Sequence, residues 1–104
     1  MKTLELTYIV TSYNYDKFLN ENLASLCNQW TEKNPFNVLV VDDGSVDDSI
    51  NIINSYKKKY NFVFLLTHPG NKNKGLIESM RLAIAAVETP WVAFLESDDF
   101  SKAG

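Results

Sequence analysis

Asn37-Val38-Leu39-Val40-Val41-Asp42-Asp43-Gly44-Ser45 is a short apolar, valine-rich run that stops abruptly in two acids, a glycine and a serine. Its length and β-branched content suit a strand covered on both faces, the kind found in the middle of a parallel sheet. We therefore expect a central parallel strand over residues 37–41 that ends in an acidic turn. Downstream, Ile50, Ile53, Tyr56 and Tyr60 fall on one side of a helix, with Ser45 or Asp47 as its cap. Lys57-Lys58-Lys59 closes that helix, where cations suit the negative end of the helix dipole, and reads as a solvated face.

Upstream, residues 4–10 read as a strand that mixes alternation with a fully apolar end. Polar residues 11–16 follow, with two aromatics among them. Phe18, Leu19, Leu23, Leu26, Cys27 and Trp30 then recur at helical spacing, with Asp16 as N-cap and Asn34-Pro35 as the break. Beyond the second helix, residues 62–66 form a third apolar run, and residues 68–75 are dense in turn residues. Leu76, Ile77, Met80, Ala83, Ile84 and Val87 mark a third helix, broken by Thr89-Pro90. Residues 91–95 are the fourth strand. The order β-α-β-α-β-α-β implies an α/β fold: a Rossmann-like parallel sheet with right-handed crossovers and helices on both faces.

Glu96, Asp98 and Asp99 place three acids within four residues just after the last strand. Such acids repel one another unless a cation neutralises them, and hard oxygen ligands suit Mg²⁺ or Mn²⁺. The bland alternative is a solvated acidic turn. The first, second and fourth strands end in Thr11 to Tyr13, Asp42-Asp43 and Asp98-Asp99. If those strands are neighbours, their loops open on one edge, where open α/β sheets bind ligands.

The totals narrow the function classes. At 104 residues one domain is expected, and a composition of 45% apolar and 22% charged residues is ordinary for a globular protein. A net charge of -3 provides no basic field for nucleic acid. Cys27 is the only cysteine, so no intrachain disulfide and no Cys/His zinc pattern is expected, and a reducing, cytoplasmic setting fits. No stretch has the length of a membrane span, although the parent protein can still sit at the cytoplasmic membrane face. P-loop and dinucleotide fingerprints are absent from the sequence.

Val10-Thr11-Ser12-Tyr13-Asn14, Val40-Val41-Asp42-Asp43-Gly44-Ser45 and Phe94-Leu95-Glu96-Ser97-Asp98-Asp99, in that order, resemble the start of a family 2 glycosyltransferase. The resemblance implies an inverting enzyme with the GT-A fold, which takes a nucleotide-sugar donor, here UDP-linked, and passes the sugar to an acceptor hydroxyl. It implies that Thr11 and Tyr13 flank the nucleobase, that Asp43 accepts a hydrogen bond from the uracil N–H, and that Asp42 supports that loop. Ser97-Asp98-Asp99 resembles the DXD-type motif, with one acid on the ribose and another on Mg²⁺ or Mn²⁺; which of Asp98 and Asp99 ligates the ion stays open. Where relatives carry a Gly-rich loop and an Arg-Asn pair, this chain has Asn71-Lys72-Asn73-Lys74-Gly75, with Met80 at the Arg position. Lys74 and Arg81 are the candidates for pyrophosphate contact, and a solvated loop and an ordinary surface Arg are the alternatives. His68 reads as structural.

The resemblance further implies that residues 1–104 are the donor-binding half, with the acceptor site and general base in a second half. On that reading the fragment alone transfers little sugar, and its uncovered sheet edge favours self-association. Two other function classes stay open: a nucleotide- or metal-binding α/β module without transfer, and a scaffold domain.

Overall fold

The computed structural model describes residues 4–14 and 16–96. Asp98 and Asp99 therefore lie outside the described residues. Four strands and three helices alternate: β1 Leu6–Ser12, α1 Asp16–Asn28, β2 Asn37–Asp42, α2 Ser49–Lys59, β3 Val63–Thr67, α3 Leu76–Ala86 and β4 Trp91–Glu96. A 3₁₀ turn, Pro69–Asn71, lies between β3 and α3. The strands form one sheet in the order β3-β2-β1-β4, and every pairing is parallel. The expected α/β, Rossmann-like architecture is the one observed.

β1 begins and ends two residues later than the hydrophobic pattern alone indicates. It is paired on both sides, and its polar end continues the ladder: Thr11 lies beside Val41 and Glu96, and Ser12 beside Asp42. Pairing thus carries the strand past the apolar run, because a central strand satisfies its backbone groups on both flanks.

The period-2 alternation of the strands sorts the core into two layers. Val10, Val38 and Val40 face α1 and α2, where Leu19, Leu23, Leu26 and Ile53 pack against them. Ile9, Leu39 and Val41 face the other way, towards Ala83 of α3. Trp30 lies beyond the end of α1. It stacks on Phe62 with ring centroids 5.0 Å apart and donates its indole N–H to the Phe36 carbonyl at 3.0 Å. Cys27 is buried here, and burial pushes its thiol up to about 11 despite a smaller opposing pull from Lys59.

The third helix departs from expectation. Its buried residues are Ser79 and Ala83, whereas Ile77 and Ile84 are 64% and 55% exposed. The apolar residues that made the helix legible therefore do not all face the sheet. Neighbouring β4 is similarly open, with Trp91 68% exposed.

Asn22 is anomalous. It is 2% exposed on α1, and neither end of its amide has a hydrogen-bond partner among the described residues. A buried unpaired polar group costs about 1–3 kcal/mol. Asn22→Leu removes that group and improves helix propensity. The variant is expected to gain about 1–2 kcal/mol, seen as a melting temperature raised by roughly 5–15 °C at about 4–8 °C per kcal/mol for a domain of this size.

Candidate functional site

The carboxyl ends of β1 and β2 meet in register at Ser12 and Asp42. One residue further, the Asp43 N–H donates to the Ser12 carbonyl at 2.8 Å, so the chains stay paired into their loops. The two loops are then laced together. Asn14 N–H donates to Ser45 Oγ at 2.9 Å, and Val46 N–H donates to Asn14 Oδ1 at 2.8 Å. A second pair repeats the pattern: Asp16 N–H to Asp47 Oδ2 at 3.1 Å and Asp48 N–H to Asp16 Oδ2 at 3.2 Å. Asn14 has φ 52°, a left-handed conformation that Asn tolerates better than most residues. This frame carries Tyr13, 45% exposed, on the outer side of the first loop. Thr11 is half-buried, one residue before the end of β1.

Asp42 and Asp43 are adjacent and do different things. Asp42 is fully buried, and its carboxylate accepts from Ser45 N–H at 2.8 Å and from Ser45 Oγ–H at 2.6 Å. It orders the turn from inside, a common use of Asp. Ser45 is thereby engaged with Asp42 and does not cap α2. The N-cap position of α2 is Asp48, which makes no side-chain cap bond. Asp47 instead accepts from Ser49 N–H at 3.0 Å and Ser49 Oγ–H at 2.6 Å. Burial opposes ionisation of Asp47, but these bonds and the one from Asp16 N–H outweigh it and hold its carboxyl below the ordinary value.

Asp43 points the other way, to the segment before α3. Its Oδ1 accepts from Lys74 N–H at 2.6 Å, and its Oδ2 accepts from Gly75 N–H at 2.9 Å and Asn73 Nδ2 at 3.1 Å. Asn73 Nδ2 also donates to the Asp43 main-chain carbonyl at 2.9 Å. His68 Nε2 is 3.5 Å from Oδ1 and 2.9 Å from Ser79 Oγ, and all three of these residues are buried. His68 is thus a packed interior link. The N–H groups leading into α3 meet the Asp43 carboxylate rather than open solvent.

Gly44 makes this approach possible. Its φ is +78°, and a Cβ there would lie 2.6 Å from Asn73 N and 2.9 Å from the Lys72 carbonyl carbon. Residues 72–75 therefore sit directly on the turn after β2.

Of the residues singled out in the sequence, Thr11, Tyr13, Asp42, Asp43 and Lys74 come together at this edge. Lys74 reaches it through its main chain, and the residue is exposed. Arg81 does not join them. It is exposed on α3, in a loose surface pair with Glu78 at 3.9 Å. Asn14, Gly44 and Asn73 also belong to the site. Asn14 and Gly44 take positive φ, which Asn and Gly visit most readily, whereas no local signal assigned Asn73 a role. Among the described residues, no helix is long and apolar enough to cross a membrane.

Comparison with known proteins bears on this arrangement. A family model described as glycosyl transferase family 2 matches residues 7–104. The poly(ribitol-phosphate) beta-glucosyltransferase of Bacillus spizizenii is 32% identical over 93% of this chain and 15% of its own length. A crystal structure of S. aureus TarS 1-349 in complex with UDP-GlcNAc matches with a TM-score of 0.78 at 29% identity, over 95% of this chain and 30% of that one. A mannosyltransferase from Pyrobaculum calidifontis, solved with GDP-Man and Mn²⁺, shares the fold with a TM-score of 0.75 at 20% identity, over 90% of this chain and 27% of that one. The chain spans 13–17% of the length of the first curated relatives that it matches.

Proposed function

The chain belongs to glycosyl transferase family 2, and on that premise we propose that it is the donor-binding part of an inverting glycosyltransferase that uses a UDP-linked sugar. The observation that carries this reading is the adjacency β2-β1-β4, which gathers Thr11, Tyr13, Asp43 and the end of β4 at one sheet edge. That edge is the usual ligand crevice of a parallel α/β sheet. The relative solved with UDP-GlcNAc supports the choice of nucleotide.

In this reading Tyr13 offers its exposed ring as a platform for the uracil, a contact worth about 1–3 kcal/mol for base stacking on an aromatic. Thr11 lines the floor beside it. Asp43 accepts the base N–H, and Asp42 acts through the turn it orders. Lys74, and Arg81 if its side chain swings towards the edge, face the diphosphate.

β4 runs to Glu96, in register with Thr11, and the chain continues into Ser97-Asp98-Asp99. Hard carboxylate oxygens in that sequence suit a Mg²⁺ or Mn²⁺ ion, with one of the two acids on the ion and the other on the ribose. When bound, the ion neutralises the charge that builds on the departing diphosphate. No residue of this chain is assigned as the base that activates the acceptor; the acceptor site and that base belong to a second half, and the parent acts at the cytoplasmic side.

Calorimetric titration of UDP in Mn²⁺ and then in EDTA tests the proposal. Binding is expected in Mn²⁺ and is expected to vanish in EDTA. Asp98→Ala or Asp99→Ala should weaken the metal-dependent binding at least about ten-fold while the melting temperature stays within about 4 °C. Metal-dependent binding that survives in both single variants rules out the metal assignment. The proposal includes self-association through the open β4 face, and sedimentation velocity at increasing concentration reads it directly.

A further inference from the structure

The Asp43 side chain is only 10% exposed. A ligand N–H that bonds to it therefore competes with the groups that already cover it. Most of what covers it is fixed. Lys74 and Gly75 donate through their main-chain N–H groups, and His68 is buried. The backbone of residues 72–73 is pressed against Gly44, where a Cβ would meet it at 2.6–2.9 Å. Asn73 is different. It is exposed, and it is the one side-chain amide hydrogen-bonded to the Asp43 carboxylate among the described residues, through Oδ2 at 3.1 Å.

A carboxylate offers about four lone-pair positions. Oδ2 takes Gly75 N–H and the Asn73 amide. Oδ1 takes Lys74 N–H, shares Gly75 N–H at 3.2 Å and lies towards the buried His68. One position on Oδ2 is thus held by a side chain whose amide also donates to the Asp43 main-chain carbonyl at 2.9 Å, and which can rotate about its own torsions without moving the backbone. When the amide leaves, Asp43 keeps its two main-chain donors and its orientation.

We infer that Asn73 is a gate on the base-reading acid: its amide occupies the lone pair of Asp43 that a nucleobase N–H takes, and donor binding displaces it. The inference rests on the donor-binding reading above. It makes Asn73 a determinant of base affinity and discrimination through competition for one acceptor position. Uracil presents an N–H at the reading edge, whereas cytosine presents a bare ring nitrogen there and cannot displace the amide productively.

The consequence runs against ordinary expectation for a polar residue at a binding site. Removing Asn73 removes the carboxylate bond that the ligand must otherwise break, together with the amide's bond to the Asp43 main-chain carbonyl. A net hydrogen bond is worth about 0.5–1.5 kcal/mol, so Asn73→Ala is expected to bind UDP about 2–10 times more tightly. The affinity for CDP and for inorganic pyrophosphate should not change, so UDP discrimination over CDP widens by the same factor. General loosening of the loop would weaken all three ligands together.

The test is titration of UDP, CDP and pyrophosphate into the full chain and into Asn73→Ala and Asp43→Asn, with melting curves for each. In parallel, the side-chain amide signals of Asn73 are followed by NMR in the unaltered protein. UDP should shift them, and pyrophosphate should leave them in place. UDP binding without movement of those signals overturns the gate, as does Asn73→Ala with UDP affinity unchanged or weakened. If Asp43→Asn keeps the preference for UDP over CDP, the assignment of Asp43 fails, and the gate with it. Absence of UDP binding to the folded, unaltered protein overturns the donor-binding reading itself.

Discussion

Val40→Asp is expected to unfold the chain at 25 °C, with loss of the cooperative thermal transition by circular dichroism. Val40 is fully buried at the centre of the sheet. It lies between Val10 on β1 and Leu65 on β3, on the face covered by α1 and α2. An acid at this position removes the burial of a Val side chain, worth about 1.5–3 kcal/mol. It also leaves an uncompensated buried charge, at about 3–5 kcal/mol. Together these reach the lower half of the roughly 5–15 kcal/mol that holds a domain folded. The control is Val46→Asp. Val46 is 90% exposed in the turn before α2, so the same change of residue should move stability by no more than about 0.5 kcal/mol. A folded Val40→Asp protein with a near-normal transition contradicts the central placement of β2.

Gly44→Ala has the next largest expected effect, and it acts on the site as well as on the fold. At φ +78° an alanine carries left-handed strain of about 1–2 kcal/mol. Its Cβ also falls 2.6 Å from Asn73 N, and backbone cannot yield as a flexible side-chain tip can. Overpacking of that kind costs about 1–3 kcal/mol. The melting temperature should fall by roughly 8–40 °C at about 4–8 °C per kcal/mol. Gly75→Ala separates the two contributions. Gly75 has φ +91°, but among the described residues no atom beyond its chain neighbours lies within 4 Å of its Cβ position. That variant carries conformational strain alone, about 1–3 kcal/mol. Gly44→Ala should therefore melt below Gly75→Ala and should also lose UDP binding, because residues 72–75 can no longer rest against Asp43. Equal melting temperatures in the two variants contradict the close approach.

How legible the molecule is in its sequence differs from element to element. The apolar run at 37–41 is short, β-branched and bounded by an acidic turn, so its strand character is local information. The same is true of the alternation of strands and helices. The extent of β1 is not local: Thr11 and Ser12 are polar, and only ladder partners on both sides make them strand. Helix α3 misleads in the opposite sense. Its apolar residues show the helical period, yet Ile77 and Ile84 face outward, and Ser79 and Ala83 face the sheet. Periodicity reports that a helix has an apolar stripe, not what covers it.

The chain's own residue order determined the α/β class, the strand-end position of the acids and the family, because these depend on residue types at short range and in fixed succession. Tertiary structure alone decided how the adjacent acids divide their work. Asp42 and Asp43 are chemically identical and neighbours in the chain, but side chains alternate across a strand and its continuation. One turns inward to Ser45 and the other meets a segment some 30 residues further on, held there by Asn73, Lys74 and Gly75. Contacts between segments so far apart in sequence exist only once the sheet has brought β2 and the start of α3 to the same edge.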